Sequence, residues 1–420
     1  MNKIKALILS AFFVCLGASF SEASIKQIYI SSGSGVSLTS GLDTFATFNG
    51  SQNLNTTETN KEQYLRVNGG TYSHLAARIS ANTLDQNTSV KFRKNGATGN
   101  QVVTITAATT GLFQDTSNTD VCATDDRIAV EYVVPAASGS ATLNFSSVVS
   151  SPSSNYRIYS KDNGGNIAGT GIYISLVGGG TGPTDDFHHS RFRVAGTLKK
   201  AQVTVSANTS VSDNTLSIWK NNALGNIAVV ITALTTGRFE DTAGEDSITS
   251  TDFVSWKGQN TGNTITATVI AVEFSSNDAA INEIIAHING AVSDGATLYA
   301  NISGQANGAA TELLFETPID FDYTASKLET HVRVNATTSA STLSFRVGAA
   351  SPGGVPSITI TAGTTGFFSD LSSEYTGASG DLVDYRIVNG GGGSLTIGSA
   401  SMLMNEVQAT GFAHSFVMIF

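Results

Sequence analysis

Short runs with apolar side chains at every second position recur along this chain, and they recur in triplicate. Val103, Ile105 and Ala107 are echoed by Val229, Ile231 and Ala233, and again by Ile358, Ile360 and Ala362. Thr104 and Thr106 stand between the first set and Thr359 and Thr361 between the third. Successive side chains of a strand face opposite ways, so this alternation predicts strands with one face on a core and a threonine-rich face toward water. Ala77 and Ile79, Val203 and Val205, and Val332 and Val334 predict a second set. Val90 and Phe92, Leu216 and Ile218, and Leu343 and Phe345 predict a third. Lys94-Asn95-Gly96, Lys220-Asn221-Asn222 and Val347-Gly348 follow the last set, and Asn-Gly supplies the positive backbone angles of a tight hairpin.

Each Val/Ile strand runs into a heptad, Thr-Thr-Gly-x-Phe-x-Asp, at 109–115, 235–241 and 364–370, offset by 126 and then 129 residues. A period of that length is a whole domain, so the chain reads as three tandem copies of one fold: 24–153, 154–279 and 280–420. Asp126, Asp252 and Asp381 recur at the same offsets, each opening a further apolar strand. Each copy begins with a short strand, at Gln27–Ile30, Tyr156–Tyr159 and Ile284–Ile288, giving eight or nine strands per copy. No stretch shows the 3.6-residue period of a surface helix. The predicted fold is all-β: three tandem antiparallel sandwiches, jelly-roll-like in preference to immunoglobulin-like.

Ahead of the repeats, Lys3 and Lys5, an apolar run from Ala6 to Phe20, and Ser21-Glu22-Ala23 have the layout of a cleavable leader over 1–23. The run is too short for a bilayer core of roughly 30 Å, so no membrane span is expected. This predicts a secreted protein, extracellular or held at a cell surface. Loss of Lys3, Lys5 and Glu22 takes the formal charge from −10 to −11. An acidic chain with scattered basic residues is a poor partner for nucleic acid. Cys122 is the one cysteine outside the leader, so no internal disulfide forms; a buried, inert thiol is expected there rather than an intermolecular bridge. Hydrophobic residues at 40% against charged residues at 13% exclude a disordered chain.

The candidate chemistry is sparse. Asp115, Asp241 and Asp370 could be general acids or calcium ligands, but a catalytic carboxylate is needed once. A carboxylate that accepts from turn N–H groups is needed in every copy, and that structural role is expected. Gly111, Gly237 and Gly366 read as turn glycines, and Phe113, Phe239 and Phe368 as core anchors. Asp185, Asp186, His188 and His189 are the one place where two histidines meet two carboxylates and could hold a zinc-like ion. Adjacent residues on a strand diverge, and Gly178–Pro183 precedes them, so a solvated loop is expected. No phosphate cradle, nucleophile elbow, zinc-protease helix or EF-hand loop occurs, and no cofactor or enzymatic activity is expected. Phe412, Phe416, Met418 and Phe420 alternate at the end of the chain, as a strand that closes the third sandwich or is offered to a neighbouring molecule. Their likeness to the terminal strand of an outer-membrane barrel is not matched by the short, threonine-faced strands of the body.

The arrangement Phe92–Gly96, Thr104–Thr106, Thr109–Asp115 and Asp126–Val130, echoed in both other copies, resembles a repeat of uncharacterised secreted bacterial surface proteins and phage structural proteins. That resemblance implies a jelly-roll-like sandwich used in shells, fibres or surface appendages, trimeric in some members. The resulting expectation is a self-associating structural subunit of a filament, fibre or surface layer. The alternatives are an adhesin that binds a surface glycan and a phage virion fibre or shell protein.

Overall fold

The computed structural model describes residues 26–407, apart from 49, 51–53, 66–68, 137, 153–155, 168–169, 179–180, 184–187, 260–262, 279–280 and 307. The leader over 1–23, Asp185 and Asp186, and Phe412, Phe416, Met418 and Phe420 therefore lie outside the described residues. What is described is all-β, with short 3-10 turns such as Glu58–Asn60 and Glu312–Leu314. Among the described residues no helix is long and apolar enough to cross a membrane.

The first unit contains β1 (Gln27–Thr39), β2 (Asp43–Ala46), β3 (Gln63–Tyr64), β4 (Gly70–Asn82), β5 (Thr88–Lys94), β6 (Ala97–Ile105), β7 (Gly111–Cys122), β8 (Arg127–Val133) and β9 (Ser140–Pro152). One sheet has the order β1-β9-β4-β7 and the other β2-β8-β5-β6, with the short β3 also on β8. Apart from β2 and β3 and the β5–β6 hairpin, successive strands therefore cross between sheets in the Greek-key path of a jelly roll. The second unit repeats this with Tyr156–Asn166, Ile265–Ser276, Gly196–Asn208 and Gly237–Ile248 in one sheet. Its opposing sheet holds Thr170–Ile174, Phe253–Gln259, Asn214–Lys220 and Ala223–Ile231. The third unit does so with Glu283–Val292, Leu395–Glu406, Tyr323–Asn335 and Gly366–Gly377 against Thr297–Ala300, Leu382–Val388, Ser341–Val347 and Ser357–Ile360.

The alternation places the cores. In the first unit Val90, Phe92, Val103, Ile105, Ala77 and Ile79 are buried together with Tyr72, Tyr132 and Phe48. Val332 is likewise buried, but Val334 is 44% exposed, because the pairing of its strand with Leu395–Glu406 slips between the two residues. Phe113, Phe239 and Phe368 are only half-buried and pack at the margin of their cores, so the anchor role expected of them belongs to neighbouring residues. Cys122 is buried, and that burial pushes its thiol up to about 12, which leaves it inert at neutral pH.

One irregularity recurs that the sequence pattern hides. His74, Lys200 and Lys327 each adopt a left-handed φ of 53–55° and form a bulge at the same place in the central strand of each unit. A bulge twists the strand and re-aims the side chains beyond it. A histidine and two lysines occupy it, none of them the glycine or asparagine that marks a turn, so no turn signal announces it.

Candidate functional site

The recurrent aspartates close a sheet edge. β6 pairs only with β5, so its outer backbone groups face away from the sheet, and Asp115 of β7 accepts from Val102 N with one carboxylate oxygen. Its other oxygen accepts from Ser117 N and Asn118 N. Asp241 does the same for Ala228 N, Ala243 N and Gly244 N, and Asp370 for Ser357 N, Ser372 N and Ser373 N. Partial burial pushes the Asp370 carboxyl upward, but hydrogen bonds from Ser373, Ser357 and Ser372 outweigh it and hold the group at about 2. In two units a second carboxylate extends the cover, with Asp120 accepting from Asn100 N and Gln101 N, and Asp246 from Asn226 N and Ile227 N. Exposed strand edges recruit other strands, and here charged side chains occupy their donors.

The heptad's glycines and threonines shape the turn beside this edge. Gly111, Gly237 and Gly366 have φ of 129°, 110° and 107°, a region that disfavours any side chain even though a Cβ would meet nothing. The hydroxyls of Thr109, Thr235 and Thr364 donate to Thr106, Thr232 and Thr361 O at 2.7 Å. A further triad escapes the sequence reading: the amides of Asn82, Asn208 and Asn335 each donate to two carbonyls of that turn, at 2.9–3.1 Å. Their spacing of 126 and 127 residues was the available signal. Replacing Asp241 by Ala is expected to lower stability by about 1–3 kcal/mol, since three backbone donors lose their acceptor. It should also raise light scattering on storage, because the edge is uncovered. Denaturant unfolding and scattering of the purified variant check both.

His188 and His189 are not in a solvated loop. They are 4% and 5% exposed, buried against the third unit, where His188 lies over His287 and His189 over His331. The expectation failed because the cover comes from another unit. No group of three or more His, Cys, Asp or Glu that could hold a metal occurs among the described residues.

That interface is one of three that close a ring. Ile28, Ile30, Phe145 and Val149 of the first unit join the apolar cluster of the third. Ile158, Val269 and Ala271 of the second join that of the first, and Ile285 and Leu403 of the third join that of the second. Ile30, Ser160 and Ile285 stand at one register position of their units, as do Ile28, Ile158 and Glu283. Equivalent surfaces therefore meet head to tail, and a head-to-tail contact that closes after three steps is a ring with pseudo-threefold symmetry.

At the centre the first strands of the three units face each other, and side chains cap their edges. The Gln27 amide donates to Tyr156 O at 3.0 Å, the Arg157 guanidinium to Asn282 Oδ1 at 2.9 Å and Ile28 O at 2.6 Å, and the Asn282 amide to Lys26 O at 3.2 Å. Gln27, Arg157 and Asn282 hold one register position of the three units, opposite Ser150, Phe274 and Met404, so the cycle runs from unit one to two, to three and back. The Tyr159 hydroxyl donates to Glu283 O, and Tyr29 takes Ile158 N. Around the ring, Arg78 holds Leu313 O and Glu316, Gln202 both donates to and accepts from the Tyr64 backbone, and Arg193 holds Glu329.

A crevice of about 300 Å³ between the first two units is lined by Glu62, Tyr64, Arg127, Thr204 and Arg238. Its charges are already engaged, with Arg127 on Glu62 at 3.0 Å and Arg238 over the Tyr64 ring. Tyr173 and Trp219 pack edge to face on the second unit, but Lys257 lies 3.5 Å from the Trp219 ring centre and covers the face a sugar would stack on.

No family model and no curated protein matches the chain. Among solved structures it is similar to a chain described with the triple jelly roll fold and turret assembly of an archaeal virus, at 12% identity over 82% of each chain and a TM-score of 0.18. A chain of Sulfolobus Turreted Icosahedral Virus is 12% identical over 80% of this chain and 79% of that one, with a TM-score of 0.16. A chain of infectious bursal disease virus, Gx strain, is 11% identical over 93% and 84%, with a TM-score of 0.17. The likeness is weak and one of fold alone.

Proposed function

We propose that this chain is a non-enzymatic structural subunit of an extracellular assembly, a layer, shell or fibre, in which one polypeptide supplies a pre-formed pseudo-trimeric block. The observation that carries this is the closed ring of three like units, sealed by buried apolar residues and by the Gln27–Arg157–Asn282 cycle. The interior of each sandwich is filled by side chains, and the arginines, aspartates and amides singled out above hold protein rather than face a cleft.

The way edges are treated says how copies would meet. The outer edges of β6 and its counterparts are covered by aspartates and the central edges by the neighbouring units, so strand addition there is opposed and contact between copies falls to the remaining edges, faces and loop ends. The leader-like first 23 residues favour an exported surface component over a virion part. Light scattering of the purified mature protein across concentrations is expected to show oligomers, and negative-stain microscopy of the native surface to show a repeating layer or fibre. A monomer at every concentration, with no ordered array on the native surface, would refute the proposal.

A further inference from the structure

The histidines between the second and third units are placed unlike the fifth described histidine. His287, Ser399 and His331 stand abreast on three neighbouring strands, and His188 and His189 lie over the two imidazoles with ring centres 6.2 and 5.8 Å apart. The Ser399 hydroxyl donates to His189 O between them. His287 and His331 are 1% and 7% exposed, and each has a buried ring nitrogen without a hydrogen-bond partner. By contrast His74, at the interface of units one and three, has an Asp320 oxygen at 2.6 Å. The positions equivalent to Ser399 and His331 carry Phe145 and Arg78 in the first unit, and Val269 and Thr204 in the second. The cluster is thus particular to one of the three interfaces.

From this geometry we infer that the interface of the second and third units is an acid-sensitive seam, which opens at low pH while the other two hold the ring together. Charged and titratable groups face the imidazoles from both sides: Lys161, Arg191, Arg193, His188 and His189 from the second unit, and Glu283, Glu329 and Arg333 from the third. Glu329 is held by Arg193 and Arg191 and Glu283 by Arg193 N, and the charges that act on the two imidazoles are Lys161, Arg333 and His189, with no carboxylate among them. Burial, with Lys161 and Arg333, holds His287 down at about 3, and burial, with His189 and Arg333, holds His331 at about 4. An opened seam frees both to titrate near their ordinary value of about 6.5, so below that pH the open state binds more protons and closure weakens. Glu283 and Glu329, pushed upward by burial, act the other way down to about pH 4.5, where they are protonated in both states. Below that point only the histidines still gain protons on opening. The seam therefore gives way below about pH 4.5, where the opposing contribution of the glutamates has ended.

Hydrogen exchange of the whole protein, corrected for intrinsic rates, tests this. Protection of 188–194, 283–288 and 399–403 should fall about 10- to 100-fold between pH 4.5 and pH 3.5, up to tenfold per histidine per pH unit. Protection of 74–78 and 313–320 should fall less. The His287→Asn, His331→Gln double variant should keep its seam protection over the same range. Equal loss at both interfaces in the wild-type protein overturns the inference, as does unchanged acid loss in a folded double variant. If the double variant does not fold, the wild-type comparison of the two interfaces decides alone.

Discussion

Replacing Arg157 by Ala is expected to lower the unfolding free energy by about 3–5 kcal/mol, the largest loss from any single surface-to-surface contact in the ring. Arg157 is 2% exposed and reaches all three units: it belongs to the second, donates to Asn282 of the third and to Ile28 O of the first, and lies over the rings of Tyr29 and Tyr159. Truncation leaves a backbone carbonyl and an amide oxygen without donors where water has no access, and each orphaned group costs about 1–3 kcal/mol. Gln27→Ala removes a donor to Tyr156 O and the acceptor of the Tyr29 hydroxyl and should cost about 1–2 kcal/mol, and Asn282→Ala, which also takes an acceptor from Arg157, about 2–3 kcal/mol. Arg157→Lys keeps the charge but not the two-pronged fork, so an intermediate loss is expected. Denaturant unfolding of the four variants checks the order. A loss at Arg157 no greater than at Gln27 would show that the centre is held by apolar packing alone.

How much of this was legible beforehand depends on whether a feature repeats. The sandwiches were legible because Val103 and Ile105, Val229 and Ile231, and Ile358 and Ile360 repeat both their alternation and their distance to the heptad. The turn was legible for the same reason, although the service its aspartates perform, covering the neighbouring strand's edge, needed the register of β6 against β7. Asn82, Asn208 and Asn335 repeat too and could have been found. The ring could not. Its centre is built from Gln27, Arg157 and Asn282, three different side chains at one position, chosen for what each meets across the axis. His188 and His189 were misplaced for a related reason: local glycine content predicts a loop, and only the arrival of His287 and His331 from another unit buries it. Local pattern encodes each unit, while contacts between units are written in residues that pattern analysis treats as noise.

Asp384→Asn is expected to stabilise the protein, by about 5 kcal/mol at pH 8 and by almost nothing at pH 4. Asp384 is fully buried, and neither carboxyl oxygen has a hydrogen-bond partner. It stands across the sheet from Arg346, but Glu312 already occupies that guanidinium at 2.8–2.9 Å. Burial, with Glu312 close by, pushes the Asp384 carboxyl up to about 9, so the folded protein keeps it protonated at neutral pH. The unfolded chain releases that proton near pH 4. Between the two values the folded state binds more protons than the unfolded one, and stability falls as pH rises, by about 1.4 kcal/mol per pH unit for one group. An amide has the same shape and no proton to lose, so the variant escapes that slope while sharing the burial cost of the neutral acid. The difference in unfolding free energy between variant and wild type should therefore widen steadily from pH 4 to pH 8. A difference that stays flat across that range would mean that Asp384 is ionised in the fold and that Arg346 serves it as well as Glu312.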